Sequence, residues 1–499
     1  MGEVRSTFFE PEFNRSVKVH ATDQRITSNS GAILLRESDH TLGLLESLSQ
    51  QLTDPRDQTK IRYTMCELLR ERIYAMALGY EAQDDLDRLA HDPAFRMAVW
   101  DRPGETVLEE RLASQPTQSR LIGTLATVPG NVNALRHAFG DWPHRHLRSS
   151  GRDHAVMRAT IDVDSFPITV CGSQQGSSYN KYYGDTVYHP MVASFSVDGD
   201  YDSARSGKRL GNGFLHAVLR QGQVHTSKGV KRFIQNVVAK ARQMARAFDL
   251  RIDAGYTSGA VMDYLTNEKV RFCGRLKKNA ILDELAAPYI SRRPGRPPSE
   301  GYEYTVELDK YQAKGWQHAQ RLILVVVDRP DPATGQLNLM PKYFFHITNW
   351  MESERSAADV LFHYRQRGTF EDRLGEFQEV IGPHLSSPNF AENEATMLVS
   401  LWSYNLSSML RIELEDALGS CWDLARFQKS VLKAGGRIVK GSRRLLLHVA
   451  QSVASLWQQL IKRIARLRLP VRWAAPRDSR RRGWTPPPPH SHLHEVLRH

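Results

Sequence analysis

Four residues between positions 364 and 378 carry side chains that could bind a phosphate and a metal ion. They are Tyr364, Arg367, Glu371 and Gln378. Successive spacings of three, four and seven residues would place them on one face of a continuous helix. A carboxylate can coordinate a divalent cation, and an arginine one turn away can bind a phosphate oxygen. This combination is typical of a site that cuts nucleic acid, although an amphipathic helix with surface charges explains it equally well.

Further acidic residues accompany two predicted strands earlier in the chain. Residues 159–166 alternate between apolar and polar types, which predicts a strand with Asp162 and Asp164 on the same face. Aspartate is uncommon inside strands, so two on one face require an explanation. Residues 249–256 predict another strand, which ends in a turn that carries Asp253.

The elements around these acids predict an α/β fold with a ribonuclease H-like catalytic core. Strand patterns at 159–166, 191–197 and 215–220 precede a helix at 228–246, a strand from 249, a helix at 259–268 and a strand at 270–274. This order is that of a ribonuclease H-like core, which has a mixed sheet. In such a sheet Asp164, Asp253 and Glu371 would converge on one edge.

Three such carboxylates could hold two Mg²⁺ ions about 4 Å apart and catalyse in-line phosphoryl transfer without a covalent nucleophile. Two alternatives remain open at this point. Asp162 could replace Asp164 as the first ligand, since it would lie on the same face of the strand. The three acids could also be unrelated surface residues among the 55 of the chain.

The rest of the chain is predicted to flank and interrupt this core. The predicted regions are a mainly helical N-terminal domain for DNA binding or multimerisation at 1–150, the first part of the core at 151–276, a β-rich insertion at 277–346, the end of the core with the Glu371 helix at 347–420, a basic helical region at 421–471, and a basic, proline-rich disordered tail at 472–499. A packing or dimerisation role without DNA explains 1–150 equally well.

The charge distribution favours a polyanionic partner. The formal net charge is +12, and residues 429–499 hold sixteen Lys and Arg against two acidic residues. Such a basic end attracts DNA or RNA first, with an anionic membrane surface as the weaker alternative. Arg480, Arg481 and Arg482 are the predicted DNA contacts of the tail, where three nearby histidines offer a minor alternative as metal ligands.

Cysteine usage and hydropathy predict a soluble protein inside the cell. The four cysteines form no C-x-x-C pair, which argues against a structural zinc site and a disulfide framework. No signal peptide is recognisable, and the most apolar run, 397–406, is too short to span a bilayer. No membrane partner is expected.

The pattern at 364–378 resembles the Y-x2-R-x3-E-x6-K signature of DDE transposases of bacterial insertion sequences, in the IS-four-like clan and closest to its thirteen-eighty group. Tyr364, Arg367 and Glu371 match, and Gln378 replaces the usual Lys, which removes one phosphate contact. Shorter matches occur in the same order at Gly31–Arg36, Arg72–Ala75, Gly79–Tyr80, Asp92–Ala94, Ala113–Arg120, Asp162–Ser165, Leu219–Gly222 and Arg251–Tyr256.

The resemblance implies that Asp164, Asp253 and Glu371 form the catalytic trio and hold two Mg²⁺, for which Mn²⁺ can substitute. It also implies cut-and-paste transposition by a homodimer or higher multimer on double-stranded DNA, both terminal inverted repeats and target. The expected location is the bacterial cytoplasm, in association with the nucleoid.

DNA contacts follow from the same resemblance. Tyr364 and Arg367, with Gln378 in the usual lysine position, would lie at the phosphates of the transposon end. Trp316 is the candidate for holding a DNA hairpin. Two alternatives stay open: an inactive or domesticated relative that only binds DNA, and a ribonuclease H-like nuclease that cleaves without joining strands.

Overall fold

One eight-stranded mixed sheet forms the centre of the structure. The structure is a computed structural model that describes residues 7–102, 104–149, 158–198, 209–292, 300–330, 335–336, 340–419, 421–441 and 444–467. Helices cover the sheet, so the chain is a mixed α/β protein, as predicted. None of the described helices is long and apolar enough to cross a membrane.

Residues 7–149 are mainly helical. Their elements are the short strands β1 (Thr7–Phe9), β2 (Val19–His20) and β3 (Arg25–Thr27) and the helices α1 (Ala32–Leu42), α2 (Leu44–Gln51), α3 (Met65–Ala77), α4 (Asp85–Leu89), α5 (Pro93–Val99), α6 (Gln115–Thr127) and α7 (Asn131–Ser149). Local sequence explains where two of them start. Thr64 and Glu67 form a capping box before α3, and the Asp92 carboxylate caps α5, which has Pro93 in its first turn.

The central part of the sheet has the predicted element order. It comprises β4 (Arg158–Ser165), the strands β5 (Ile168–Thr169), β6 (Ser178–Asn180) and β7 (Asp185–Tyr188) of a small separate sheet, β8 (Met191–Asp198), β9 (Arg209–Val218), α8 (Val230–Met244), β10 (Ala247–Ile252), α9 (Gly259–Asn267) and β11 (Arg271–Leu276). The spatial order is β9-β8-β4-β10-β11. Because β4, β10 and β11 run parallel, their carboxyl ends meet at one edge of the sheet.

The predicted β-rich insertion continues this same sheet. After α10 (Ala280–Ala286), the strands β12 (Tyr302–Tyr311), β13 (Gln320–Asp328) and β14 (Lys342–Thr348) pair antiparallel, and β14 pairs with β11. The run from Leu322 to Val326 is apolar at every position and is buried on both faces, in two separate hydrophobic clusters. A strand of this kind needs cover on both sides, which a sheet interior provides.

The prediction of one continuous helix through 364–378 is wrong. The chain forms α11 (Ala357–Arg365), then α12 (Gly368–Glu376), then a π-helical turn at Phe377–Ile381. Glycine at 368 has low helix propensity, and the amide of Arg367 bonds to the carbonyl of Tyr364 in a tightened turn. The π turn also changes the spacing of Gln378 from Glu371, so the four residues do not share one regular stripe.

The long helix α13 (Phe390–Leu418) joins the sheet to the N-terminal helices. It contacts β9 on one side and α3, α6 and α7 on the others, and it is buried from Asn393 to Leu414. The Asn405 side chain bonds to both backbone polar groups of Phe214 in β9, at 2.8 and 2.9 Å. The predicted buried helix at 397–406 is therefore confirmed, since it lies within α13.

The prediction that residues 421–471 are helical is wrong in part. The region contains α14 (Leu424–Phe427), a π-helical turn at Gln428–Leu432, the hairpin β15 (Gly436–Lys440) and β16 (Leu445–Val449), and α15 (Gln451–Ile464). Gly435 and Gly436 stop the helical pattern, and β15 pairs with β3 near the N-terminus. The chain segments beside this strand pair also approach closely, because a Cβ atom on Gly31 would lie 2.3 Å from the Cα of Leu432.

Candidate active site

Two of the predicted acids, Asp164 and Asp253, lie side by side at the carboxyl ends of the neighbouring parallel strands β4 and β10. In the pairing of β4 with β10, Val163 lies opposite Ile252. Asp164 and Asp253 are the next residues along the two strands, which are about 4.8 Å apart in a sheet. The two carboxylates are close enough that the charge of Asp253 raises the pKa of Asp164, in addition to the larger effect of burial.

Arg367 connects Asp164 to the third predicted acid. Its Nη2 donates to Oδ2 of Asp164, and its Nη1 donates to Oε1 of Glu371 at 3.3 Å. Arg367 is buried, whereas 68% of the Glu371 side chain is exposed. Asp164 and Glu371 therefore lie on two sides of one guanidinium group, and Glu371 faces solvent at the rim.

The electrostatic balance of this group is set by burial and charge together. Burial raises the pKa of Asp164, and the charge of Arg367 together with the Ser165 amide at 2.7 Å partly offsets this effect. For Arg367 burial is the largest single effect and lowers the pKa, but the charges of Asp164, Tyr364 and Asp253 together outweigh burial, and the pKa is raised. The edge of the sheet is thus a place where positive charge is stabilised.

Asp162, the alternative first ligand, has a different position. It is fully buried, and its two oxygens accept hydrogen bonds from Nε and Nη2 of Arg251 at 2.7 and 2.6 Å. Arg251 also donates to the carbonyl of His363 at 3.0 Å, and the His363 ring contacts Asp249 at 2.7 Å. Asp162 thus joins β4, β10 and α11, which leaves Asp164 as the accessible acid of this strand.

Tyr364 and Gln378 lie near the acids in different surroundings. Tyr364 is partly buried with its ring edge-on to His346, and burial raises the pKa of its hydroxyl, an effect partly offset by Arg367 and reinforced by Asp253. Gln378 is exposed and donates to the carbonyl of Pro167 at 3.0 Å. Gln378 is therefore anchored beside the end of β4 with its side chain at the surface.

Trp316, the candidate for contact with a DNA hairpin, packs against the protein. Its ring lies edge-on to Tyr311 with centroids 5.5 Å apart. A Cβ atom on Gly259, at the start of α9, would lie 2.4 Å from the Trp316 ring. The residue is a partly buried part of the scaffold. The predicted contacts Arg480, Arg481 and Arg482 lie outside the described residues, as do the three tail histidines.

A second polar group close to Asp164 was missed from the sequence. The Tyr256 hydroxyl donates to Oγ of Ser165 at 2.7 Å, and the side chain of Arg220 lies close enough to both Tyr256 and Asp164 for their charges to interact. Both residues fall in the short matching segments 219–222 and 251–256, which was the only available signal. Their location depends on strand pairing that local patterns do not reveal.

Oxygen donors of this type suit a hard divalent cation. The guanidinium of Arg367 between Asp164 and Glu371 shows that these carboxylates can share one positive charge. Within the described part of the chain, no three His, Cys, Asp or Glu side chains are grouped closely enough to hold an ion. Asp164, Asp253 and Glu371 thus offer the donor type that Mg²⁺ or Mn²⁺ prefers, and Arg367 now lies between two of them as the competing cation.

Comparisons with known proteins give one family match and one similar solved structure. Residues 9–469 match the protein family described as transposase DDE domain, group 1. No curated protein sequence gives a significant match. Among solved structures, the chain is similar to the piggyBac transposase synaptic complex with hairpin DNA, with 11% identity, a TM-score of 0.41, and coverage of 90% of this chain and 87% of that chain. The family match includes every element that carries the three acids.

Proposed function

The chain belongs to the group 1 family of transposase DDE domains, and from this premise we propose that it is an insertion-sequence transposase with a ribonuclease H-like core. It would cleave DNA at the terminal inverted repeats of its element and join the ends to target DNA. The observation that carries the proposal is the meeting of Asp164 and Asp253 at one sheet edge, with Arg367 linking Asp164 to Glu371. The strand order β9-β8-β4-β10-β11 supports the proposed core.

Each residue of the site has a distinct proposed role. Asp164, Asp253 and Glu371 would hold divalent cations, which when bound activate water or a 3′-hydroxyl and stabilise the leaving oxygen. Arg367 neutralises Asp164 and Glu371 and is placed to exchange one of them for a phosphate oxygen, because a guanidinium binds both anions in the same way. Tyr364, next to Arg367, would support that phosphate contact.

The proposed partner is double-stranded DNA, bound by a homodimer or a higher multimer. The net charge of +12 supports a polyanionic ligand, and its excess at 429–499 would add contacts of no sequence preference. Cut-and-paste transposition requires two ends to be handled together, which is the reason for proposing more than one copy of the chain.

Strand cleavage with Mg²⁺ tests the proposal. The substrate is a labelled duplex that carries the terminal repeat flanking the coding sequence, with a plasmid as target. The wild-type chain should nick the duplex at the repeat and join it to the plasmid. Asp253→Asn should abolish both products and leave repeat binding within about a few-fold, because it removes one charge and no packing volume.

A matched control is available on the Glu371 side. Glu371→Gln should abolish cleavage, whereas Glu379→Gln, an exposed acid in the following π turn, should leave it unchanged. A specific mobility shift without any product would mean a DNA-binding protein. Cleavage without joining would mean a nuclease. Either outcome would overturn the proposed function.

A further inference from the structure

We propose that Arg220 binds the phosphate at the cleavage site, beside Asp164. The inference rests on the proposed function, because it assigns a further substrate contact to the same site. Its ligand is a phosphodiester of the DNA backbone. Arg220 would be a second fixed cation that positions the scissile phosphate against the carboxylates.

The Arg220 side chain is held rigidly by backbone carbonyls. The residue follows β9 and is only 8% exposed. Its Nε donates to the carbonyl of His189 at 2.9 Å, and its Nη1 donates to the carbonyl of Thr226 at 3.0 Å. The amide of His189 in turn bonds to the carbonyl of Arg220 at 3.1 Å. The guanidinium therefore has a fixed position at the end of two paired strands.

One nitrogen of this guanidinium remains unused. Nη2 of Arg220 is buried and makes no hydrogen bond of good geometry to any described residue, although the guanidinium as a whole interacts with the Tyr256 hydroxyl. A buried charged donor without a partner is costly, because it has lost water and gained nothing in return. The bonds to the carbonyls of His189, Thr226 and, at 3.5 Å, Lys228 explain how Arg220 holds the loop after β9, but they do not explain the unused donor.

The Arg220 side chain lies close to the catalytic edge, because the charge of Asp164 and the Tyr256 side chain both act on it. β9 is two strands from β4, a distance of roughly 10 Å, which the side chain of an arginine and that of a tyrosine can bridge together. Tyr256 lies between them, since its hydroxyl donates to Ser165, whose amide donates to Asp164 at 2.7 Å. Burial lowers the pKa of Arg220, and the proximity of Tyr256 and Asp164 partly offsets this.

A phosphate would complete this arrangement. Asp164 already has Arg367 as its direct partner, so Arg220 can give its donor to a second anion. A phosphodiester presents two charged oxygens, and arginine binds such oxygens in preference to most other ligands. Bound between Arg220 and Arg367, the phosphorus would lie in front of Asp164, where the proposed chemistry takes place.

A neutral phosphate at the cleavage site separates this role from a structural one. The cleavage rate of the wild-type chain is measured with Mg²⁺ on duplexes that carry either a normal phosphate or a methylphosphonate at the scissile position. The same two rates are measured for Arg220→Ala. The ratio of the two rates is then compared between the wild-type chain and the variant. A smaller fraction of folded protein in the variant lowers both of its rates equally and leaves the ratio unchanged.

In the wild-type chain the methylphosphonate should slow cleavage strongly, because it removes the charge that Arg220 binds. In Arg220→Ala the factor by which the methylphosphonate slows cleavage should be about 10- to 100-fold smaller than in the wild type. This is the usual contribution of one hydrogen bond to a charged group. Arg246→Ala is the control. Arg246 is exposed and precedes β10, so it lies roughly 20 Å from Asp253, and its ratio should equal that of the wild type.

An equal ratio for Arg220→Ala and the wild type would overturn the inference and assign Arg220 to loop support alone. That result would leave the proposed function intact, because the wild-type chain would still cleave the normal duplex. A wild-type chain that cleaves neither duplex would instead refute the proposed function, and this inference with it. The two failures are therefore distinguishable in one experiment.

Discussion

Replacing Asp162 by Asn should destabilise the fold, whereas the same replacement of Asp164, two residues further along β4, should not. Asp162 is fully buried and forms a bidentate ion pair with Arg251 across two strands. Asp164 faces the accessible edge beside Arg367 and Glu371. The pair of variants makes one chemical change in two different environments.

The size of the effect at Asp162 follows from burial. Removing one partner of a buried ion pair costs roughly 3–5 kcal/mol, because the other charge stays buried without compensation. Asn keeps one acceptor oxygen for Arg251, so the lower end, about 3 kcal/mol, is expected. This is a large share of the roughly 5–15 kcal/mol that stabilises a typical domain. Arg251 would also retain its bond to the His363 carbonyl.

Replacing Asp164 by Asn should not lower the free energy of unfolding. Burial raises the pKa of this carboxyl above its ordinary value even with Arg367 present. A carboxyl group whose pKa is higher in the folded state stabilises the fold only while protonated, and this stabilisation is lost as the pH rises. Replacing Asp164 by neutral Asn at pH 7 should therefore leave the free energy of unfolding unchanged or raise it.

Urea unfolding at pH 7, followed by tryptophan fluorescence, measures both stabilities, and cleavage rates are taken from the same preparations. Asp162→Asn should unfold at lower urea yet cleave DNA while folded, and Asp164→Asn should be stable and inactive. Replacing the pair together, by Asp162→Leu with Arg251→Met, should recover most of the lost stability. A stable, inactive Asp162→Asn would refute the reasoning and make Asp162 the metal ligand.

Three further predictions concern other parts of the chain. Burial raises the pKa of Glu71 to about 8 from a model-peptide value of 4.5, so its contribution to stability is present below about pH 4.5 and lost as the pH rises to about 8. The stability advantage of Glu71→Gln over the wild type should therefore grow by about 3 kcal/mol between pH 4 and pH 7 in urea unfolding, and an equal difference at both values would contradict this. Deleting residues 472–499 should weaken DNA binding and reduce its salt dependence without changing sequence preference, and an unchanged salt slope would exclude a DNA role for the tail. Gln378→Lys should tighten binding to the terminal repeat and steepen the salt slope by about 0.9, whereas an unchanged slope would mean that position 378 does not reach a phosphate.

Local patterns predicted the central strands because each carries its own signal. The alternation in β4 marks one buried and one polar face, and the turn after β10 is marked by the Asp253-Ala254-Gly255 sequence. Helix α8 has a continuous apolar stripe. These signals depend only on neighbours in sequence, so the element order of the core followed from them.

Long-range pairing was not predictable in the same way. The hairpin β15–β16 lies in a basic region that read as helical, and it is completed by β3, about 410 residues earlier in the chain. The break before Gly368 was also missed, because the polar residues at 364–371 keep helical spacing across it. In both places tertiary contacts decide the structure over local propensity.

The same difference between local sequence signals and long-range contacts applies to the candidate site. The three acids could be selected from their places on predicted elements. The distinction between Asp162 and Asp164 depended on Arg251, the ion-pair partner of Asp162. The position of Arg220 near the site depended on the pairing of β8 with β9. A side chain that is fixed by a residue of a distant strand has no signal in the linear sequence. Its role becomes visible only in three dimensions.

The most direct test of the central claim is an anomalous diffraction map from crystals of the chain with terminal-repeat DNA and Mn²⁺. Mn²⁺ peaks are expected at about 2.0–2.3 Å from carboxylate oxygens of Asp164, Asp253 and Glu371. Ordered Mn²⁺ that contacts the DNA but none of these three carboxylates would contradict the central claim.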